Sequence, residues 1–467
     1  MHFSHSSLKA NPVAPDLSIP EALRRARGGE RSRTTQEPEP VAGRAGFSGG
    51  RLRKPAQRSG STFQSEAPRA FGPAAFLALA SGLLTAFTVS LVGEMPVGEL
   101  ILLGVAGWVV LCAIVHRDLP GPLLERRFLF LLLGAQCIAL LAYMLSDFYR
   151  HSAPHDMARG WARMVLLAID VIAMAYLLGR SRFIFAWFLA GQLVGDIAAS
   201  LLFGALFGDV WKFGYGIPVT YAVLAAASSV GPLTVLLAAG GLGALHFALD
   251  FRSVGALCLL LAGATGVQMI PPRLRLWALP CCALATIVIA AGLFARMRTG
   301  DDMAHRGSRS DVDRAAMLQA ASEAFVESPL IGQGSWFSRS KVYDNLLQIR
   351  YDLATEAGVG GFVGPNEEPE NVAALHSQLL VTLAEGGIFG ASFFLVYGAG
   401  LAWALWNLVM VQASQRAQPV RVFLLLLAGW NLFMSPFSGA HRVYIALAVG
   451  VILLVQSDNA NSREATA

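Results

Sequence analysis

The sequence predicts an all-α protein that crosses a membrane about twelve times and carries one large, mostly helical loop. Three observations support that prediction. Hydrophobic residues make up 55% of the 467-residue chain and charged residues only 14%, whereas a soluble domain has roughly 25% charged residues. Mean hydropathy is +0.53. The apolar residues also gather into repeated runs of about 17 to 25, the length a helix needs to span the hydrocarbon core. The formal charge of +5 sits mainly in one terminal segment and in the short loops between runs. It therefore reports orientation, and no nucleic-acid motif accompanies it.

Residues 1–69 come first. They are rich in Arg, Pro, Ser, Glu and Gly, hold twelve Lys/Arg against six Asp/Glu, and show almost no apolar periodicity. That composition reads as a disordered cytoplasmic tail. Apolar runs follow near 71–92, 99–115, 128–146, 161–179, 183–206, 253–270, 276–296, 380–408, 420–436 and 440–456. The long stretch 215–249 divides at Ser228–Pro232, where Gly231 and Pro232 suit an interhelical turn. Residues 70–296 then hold nine spans, and 380–457 hold three more. With the basic tail inside, the even-numbered loops read HRDLPGPLLERR, RSR, PPRLRL and VQASQRAQPVR, and only the sixth is uncharged. This positive-inside pattern places both termini in the cytoplasm, with 458–467 as a second tail. The odd loops face outward, including the large one at 297–379.

That loop has structure of its own. Apolar residues recur at helical spacing from Ala315 to Phe325, and the helix is expected to stop at Pro329, with Gly332 and Gly334 as flexible points beyond it. Asp311 or Asp313 is suited to cap its start. A second short amphipathic helix is expected through YDNLLQIRYDLATEA, and GVGGFVGPNEEPEN reads as open loop. The five cysteines, Cys112, Cys137, Cys258, Cys281 and Cys282, all fall in apolar segments and read as small buried hydrophobes. Neither a disulfide framework nor a thiolate metal site is expected. No metal or cofactor is expected either, because stretches such as DDMAH lack paired ligands at metal spacing.

The chemistry-bearing residues lie on the outward side. His376 stands where a polar stretch gives way to an apolar run, in NVAALHSQLLVTLAEGGIFG. An imidazole near pKa 6.5 suits proton transfer at neutral pH; the plain alternative is a solvated boundary histidine. Glu385 follows nine residues later, about two and a half helical turns on, so it points away from His376 and is expected to pair with a basic residue. Lys212 and Arg252 lie in two small outer loops. Their plain reading is interface cations whose stems snorkel. Arg314 sits near the expected start of the loop helix, unfavourably placed against the dipole unless it has another partner.

Arg314, then PLIGQG at 329–334, then HSQLLVTLAEGGIFG with His376, Leu380, Leu383, Glu385, Gly387 and Gly390 in register, together resemble the O-antigen ligase and polymerase family. These are multi-span enzymes that transfer lipid-linked glycans on the outer face of the bacterial inner membrane. Here Ser377 replaces the family's usual Asn beside the histidine, and Lys212 replaces a more common arginine. The resemblance implies a metal-independent, GT-C-like glycosyltransferase without cofactor. Its donor is a glycan on undecaprenyl diphosphate and its acceptor a sugar hydroxyl, on lipid A core for a ligase or on another lipid-linked repeat for a polymerase. Ser377 tilts the reading toward the polymerase. Other polysaccharide assembly proteins are the implied partners, in lipopolysaccharide or exopolysaccharide synthesis.

By the same resemblance His376 and Arg252 are catalytic. His376 is either the general base toward the acceptor hydroxyl or a donor to the diphosphate. Lys212 and Arg314 would bind diphosphate or glycan, and Gly332 and Gly334 would shape a turn. Two other classes stay open. Asp170 and Asp196 lie deep in predicted spans, where a carboxylate is costly and usually functional. That suits a proton-coupled transporter or flippase of lipid-linked saccharide, although no internal repeat accompanies it. A membrane scaffold or sensor is the third class, and it would not need cations gathered on one outer face.

Overall fold

A computed structural model describes residues 72–90, 94–116, 127–181, 183–203, 211–212, 214–297, 301–336, 341–356, 376–411 and 418–466. The tail expected at 1–69 and the open loop GVGGFVGPNEEPEN lie outside the described residues. Those described are helical except for turns and one antiparallel hairpin, β1 (Thr88–Ser90) with β2 (Glu94–Pro96).

Among the described residues, eight helices are long and apolar enough to cross a membrane. They are α2 (Val97–His116), α3 (Arg127–Arg150), α4 (Pro154–Arg180), α5 (Ile184–Phe203), α8 (Arg252–Met269), α9 (Pro272–Met297), α13 (Ser392–Trp406, continued by a π turn at Asn407–Val411) and α15 (Gly439–Thr466). Shorter apolar helices fill the remaining runs: α1 (Pro73–Leu84), α6 (Gly216–Val230), α7 (Pro232–Ala248), α12 (Gln378–Gly390) and α14 (Gln418–Met434). The surface is apolar where water would demand polarity. Trp108, Ile114, Leu145, Leu201 and Trp277 are all exposed, while Glu99, Gln136, Asp147, Asp170 and Arg442 are buried. The chain is an all-α, multi-pass membrane protein.

The described residues give eight helices of that length and do not confirm the expected twelve. The run at 71–92 yields a helix of only 12 residues before the hairpin, about 18 Å long against a core of about 30 Å. The run at 380–408 is interrupted at Gly387, inside α12, and α12 gives way to α13 at Ala391. The long stretch 215–249 does divide at Gly231, whose φ is 157°, and Pro232 opens α7. The expected C-terminal tail is helical, because α15 continues to Thr466, and Asp458 in that extension pairs with Arg421 at 2.8 Å.

Packing follows from small residues and from one central helix. α1 and α5 meet through Gly82, Gly191 and Gly195, where a Cβ would collide with backbone oxygens of the facing helix. Such close approach is how helices gain van der Waals contact in lipid. α4 packs against α2, α3 and α15, with Leu167, Val171 and Met174 fully buried.

The large loop contributes α10 (Asp301–Glu327) and α11 (Lys341–Glu356). α10 starts well before the expected cap, so Asp311 and Asp313 are interior to it and Arg314 is not at its N-terminus. Asp313 instead pairs with Arg350 of α11 at 2.6 Å. Ala316, Ala320, Ala324 and Leu346 then cluster onto Val381 and Ala384 of α12, folding the loop back on the bundle.

Candidate functional site

The PLIGQG turn and the EGG segment form one interlocked piece of backbone. Gly387 has φ 65° and ψ −163°, which breaks α12 and strips its last carbonyls of their usual i+4 donors. The turn supplies replacements. Gln333 N–H donates to Ala384 O at 2.8 Å, Gly334 N–H to Glu385 O at 3.0 Å, and Ile388 N–H turns away to Pro329 O at 2.8 Å. Gly332 and Gly387 both have positive φ, and a Cβ at either would collide with the opposing backbone. Neither glycine is placed to cradle a phosphate.

Two buried carboxylates fasten this piece to α3 and α4. Glu385 accepts from Tyr143 Oη at 2.8 Å, from Trp336 N–H at 3.0 Å, and from Arg163 in a buried ion pair. Asp147 accepts from Trp161 Nε1 at 2.7 Å, Ser335 N–H at 2.6 Å and Ser335 Oγ at 2.8 Å. Arg150 Nε reaches Gly332 O at 3.0 Å. Trp336, held at a φ of 50°, lies under the Arg159 guanidinium at 4.0 Å from the ring centre, and Arg163 stands 5.5 Å from the same ring. Both contacts are cation–π pairs. Every oxygen of Glu385 is thus occupied, and its cation is Arg163, not Lys212 or Arg252.

His376 sits at the opposite end of α12, half-buried, immediately before the N-cap Ser377. The Ser377 hydroxyl accepts from Leu380 N–H at 3.2 Å and donates to Leu432 O at 3.3 Å. Burial pushes the His376 pKa down, the nearby Arg314 cation lowers it further, and Asp313 opposes them. The ring is therefore neutral at pH 7 and able to accept a proton. A second histidine faces it: His441, at the start of α15, is an electrostatic neighbour of His376 and shares a 2.7 Å hydrogen bond with Ser438. Phe437 in the same α14–α15 connection lies under Arg163, 4.8 Å from the ring centre. Arg314 is exposed on α10.

Lys212 and Arg252 flank a different group, built by Trp211 with residues of α6 and α7. Trp211 Nε1 donates to His246 Nδ1 at 3.1 Å, so the ring proton is on Nε2, which shares a 2.7 Å hydrogen bond with Thr220 Oγ1. That buried group fixes Trp211 and with it the adjacent, half-buried Lys212. Arg252 opens α8 and pairs with Asp250 at 2.8 Å, across a turn in which Asp250 takes φ 56°. α14 packs against α6, α8 and α12, and so joins this cluster to the His376 end. The structure thus brings Arg314 near His376, and it ties Lys212 and Arg252 to the His246 group only through their chain neighbours Trp211 and Phe251.

Asp170 is buried in α4 beside Glu99 and Arg442. Asp196 is half-buried on α5, near Tyr444 of α15. Sequence reasoning missed Tyr143, Asp147, Arg163, Trp336 and His441. A signal was available for one pair: Arg159 and Arg163 stand four apart at the start of a span, on one helix face. No family model and no curated protein matches the chain. Fold and site define it as a multi-pass, all-α membrane protein with a helical loop locked onto one end of its bundle.

Proposed function

We propose that this protein is a glycosyltransferase that moves a glycan from a polyprenyl diphosphate carrier to a sugar hydroxyl at the outer face of a bacterial inner membrane. The observation that carries the reading is His376, a neutral, half-buried imidazole beside Arg314 and His441, at the free end of a helix whose other end is locked. In the reaction the acceptor oxygen attacks the anomeric carbon and the bond from that carbon to the diphosphate breaks. The hydroxyl proton passes to His376, and the polyprenyl diphosphate leaves with the bonding pair. Arg252 and Lys212 would hold the diphosphate, since fixed cations favour the charge that grows on the leaving group. The charge pattern of the loops supports cytoplasmic termini and an outward His376.

Ligase and polymerase chemistry differ only in the acceptor. Ser377 does not separate them, because its hydroxyl caps α12 and an Asn caps equally well. The test is transfer from a purified polyprenyl-diphosphate glycan to lipid A core in one arm and to a second lipid-linked repeat in the other. His376→Ala is expected to lower the rate roughly 100- to 10,000-fold while the protein accumulates normally. Wild-type rates from that variant would remove His376 from the chemistry. The burial of Asp170 favours a second reading, a proton-coupled flippase of lipid-linked saccharide. It would gain the field if the wild-type protein transferred glycan to neither acceptor yet moved lipid-linked sugar across vesicles.

A further inference from the structure

Glu99, Asp170 and Arg442 come from α2, α4 and α15 and meet in the interior of the bundle, 1%, 1% and 5% exposed. Arg442 takes both oxygens of Glu99, Nε to Oε1 at 3.0 Å and Nη2 to Oε2 at 2.7 Å. Asp170 lies within hydrogen-bonding reach of Glu99 and close to Arg442. Yet neither Asp170 oxygen receives a donor from any described residue. The charged groups that face it are these two alone among the described residues. Two buried carboxylates therefore stand together with one guanidinium.

We infer that Glu99 and Asp170 hold one proton between them, so that with Arg442 they form a buried, electrically neutral proton-binding site. Charge balance requires it. Two ionised carboxylates and one arginine would leave a net negative charge inside the bundle, where an uncompensated ion is far more costly than a neutral acid. Hydrogen-bond accounting requires it as well. Two acceptors facing each other lack a donor, and a proton on either one supplies it. The site also fastens α15 at the residue next to His441, so it fixes the first turn of the helix that presents that ring. The inference rests on no part of the glycan-transfer reading.

The experiment is infrared spectroscopy of the purified full chain in lipid nanodiscs at pH 7, in H2O and in D2O. A protonated carboxyl gives a carbonyl band apart from the amide and ionised-carboxylate bands, and deuteration shifts it. The wild-type protein is expected to show such a band. Asp170→Asn and Glu99→Gln should each abolish it, while Asp196→Asn should leave it in place. Asp170→Asn replaces a neutral acid by its neutral isostere, so its melting temperature should stay within about 2 °C of wild type. Absence of the band in the wild-type protein would overturn the inference, and it is also the result expected if a monovalent cation bridged two ionised carboxylates. A band that survived both substitutions in the pair would overturn it too.

Discussion

The two ends of α12 receive opposite treatment, although Glu385 and His376 are only nine residues apart. At one end Glu385 is buried with Arg163, Tyr143 and the Trp336 N–H on its oxygens, and the chain around it is held by backbone hydrogen bonds to the PLIGQG turn. At the other end His376 is half-buried, with Arg314, Asp313 and His441 as charged or titratable neighbours and no such ring of fixed partners among the described residues. A buried carboxylate with both oxygens already bonded is poorly placed to take up a substrate, and removing it exposes the cost of the charge left behind. A partly open imidazole kept neutral can take up a proton. Within one motif, therefore, the carboxylate builds the site and the histidine is the group able to act in it.

That contrast can be broken most directly at the locked end. Glu385→Ala would strand the buried Arg163 guanidinium, a loss of about 3–5 kcal/mol, and release the 329–336 turn. Thermal unfolding and limited proteolysis of the turn should both report it. A variant as stable and as protease-resistant as wild type would mean that Glu385 is not the lock. Gly387→Ala is next in size. Its positive φ costs an L-residue about 1–2 kcal/mol, and the added methyl presses on the Leu330 carbonyl. The expected outcome is a lower melting temperature and faster cleavage at the turn. At the free end Ser377→Ala removes only a helix cap, about 1 kcal/mol, and Ser377→Asn should restore it. If the Asn variant were no more stable than the Ala variant, capping would not be the role of Ser377.

Much of this arrangement was legible in the sequence, and the limits have physical causes. A span needs one continuous apolar run, so the positions of α2 to α5, α8 and α9 can be read directly from composition. Gly231 and Pro232 mark their turn because both act on local backbone. The break at Gly387 is different. The apolar run passes through it unchanged, and what makes the break tolerable is a set of N–H donors from residues 329–334, which periodicity does not register. Glu385 was expected to pair with a cation, but its partners Arg163 and Tyr143 lie 222 and 242 positions away in the chain. Asp147, Arg150 and Arg163, near the facing ends of α3 and α4, grip the turn at Gly332, Ser335 and Trp336 far along the chain, which local pattern does not register. Arg314 looked like a helix start because the polar residues before it carry no apolar stripe, yet α10 continues through them.

The smallest effect is the sharpest test of the free end, because it concerns the proton itself. The pKa of His376 is held below its ordinary value by burial and by Arg314. The folded protein therefore binds this proton less readily than the unfolded chain does. Stability is unaffected by this group above about pH 6.5, and it falls as pH drops from there through the lower folded value. Under the proposed reaction the same titration removes the base, so transfer should decline on the acid side with a midpoint below the ordinary imidazole value. Arg314→Ala takes away one cause of the shift and leaves burial in place. The acid limb should then move up in pH, and by less at high salt, since Arg314 is exposed and screened. His376→Gln should flatten the stability change between pH 7 and 5. An acid limb that stayed in place without Arg314, together with an unaltered stability profile in His376→Gln, would mean that another group titrates. His441, an electrostatic neighbour of His376, would then be the residue to replace.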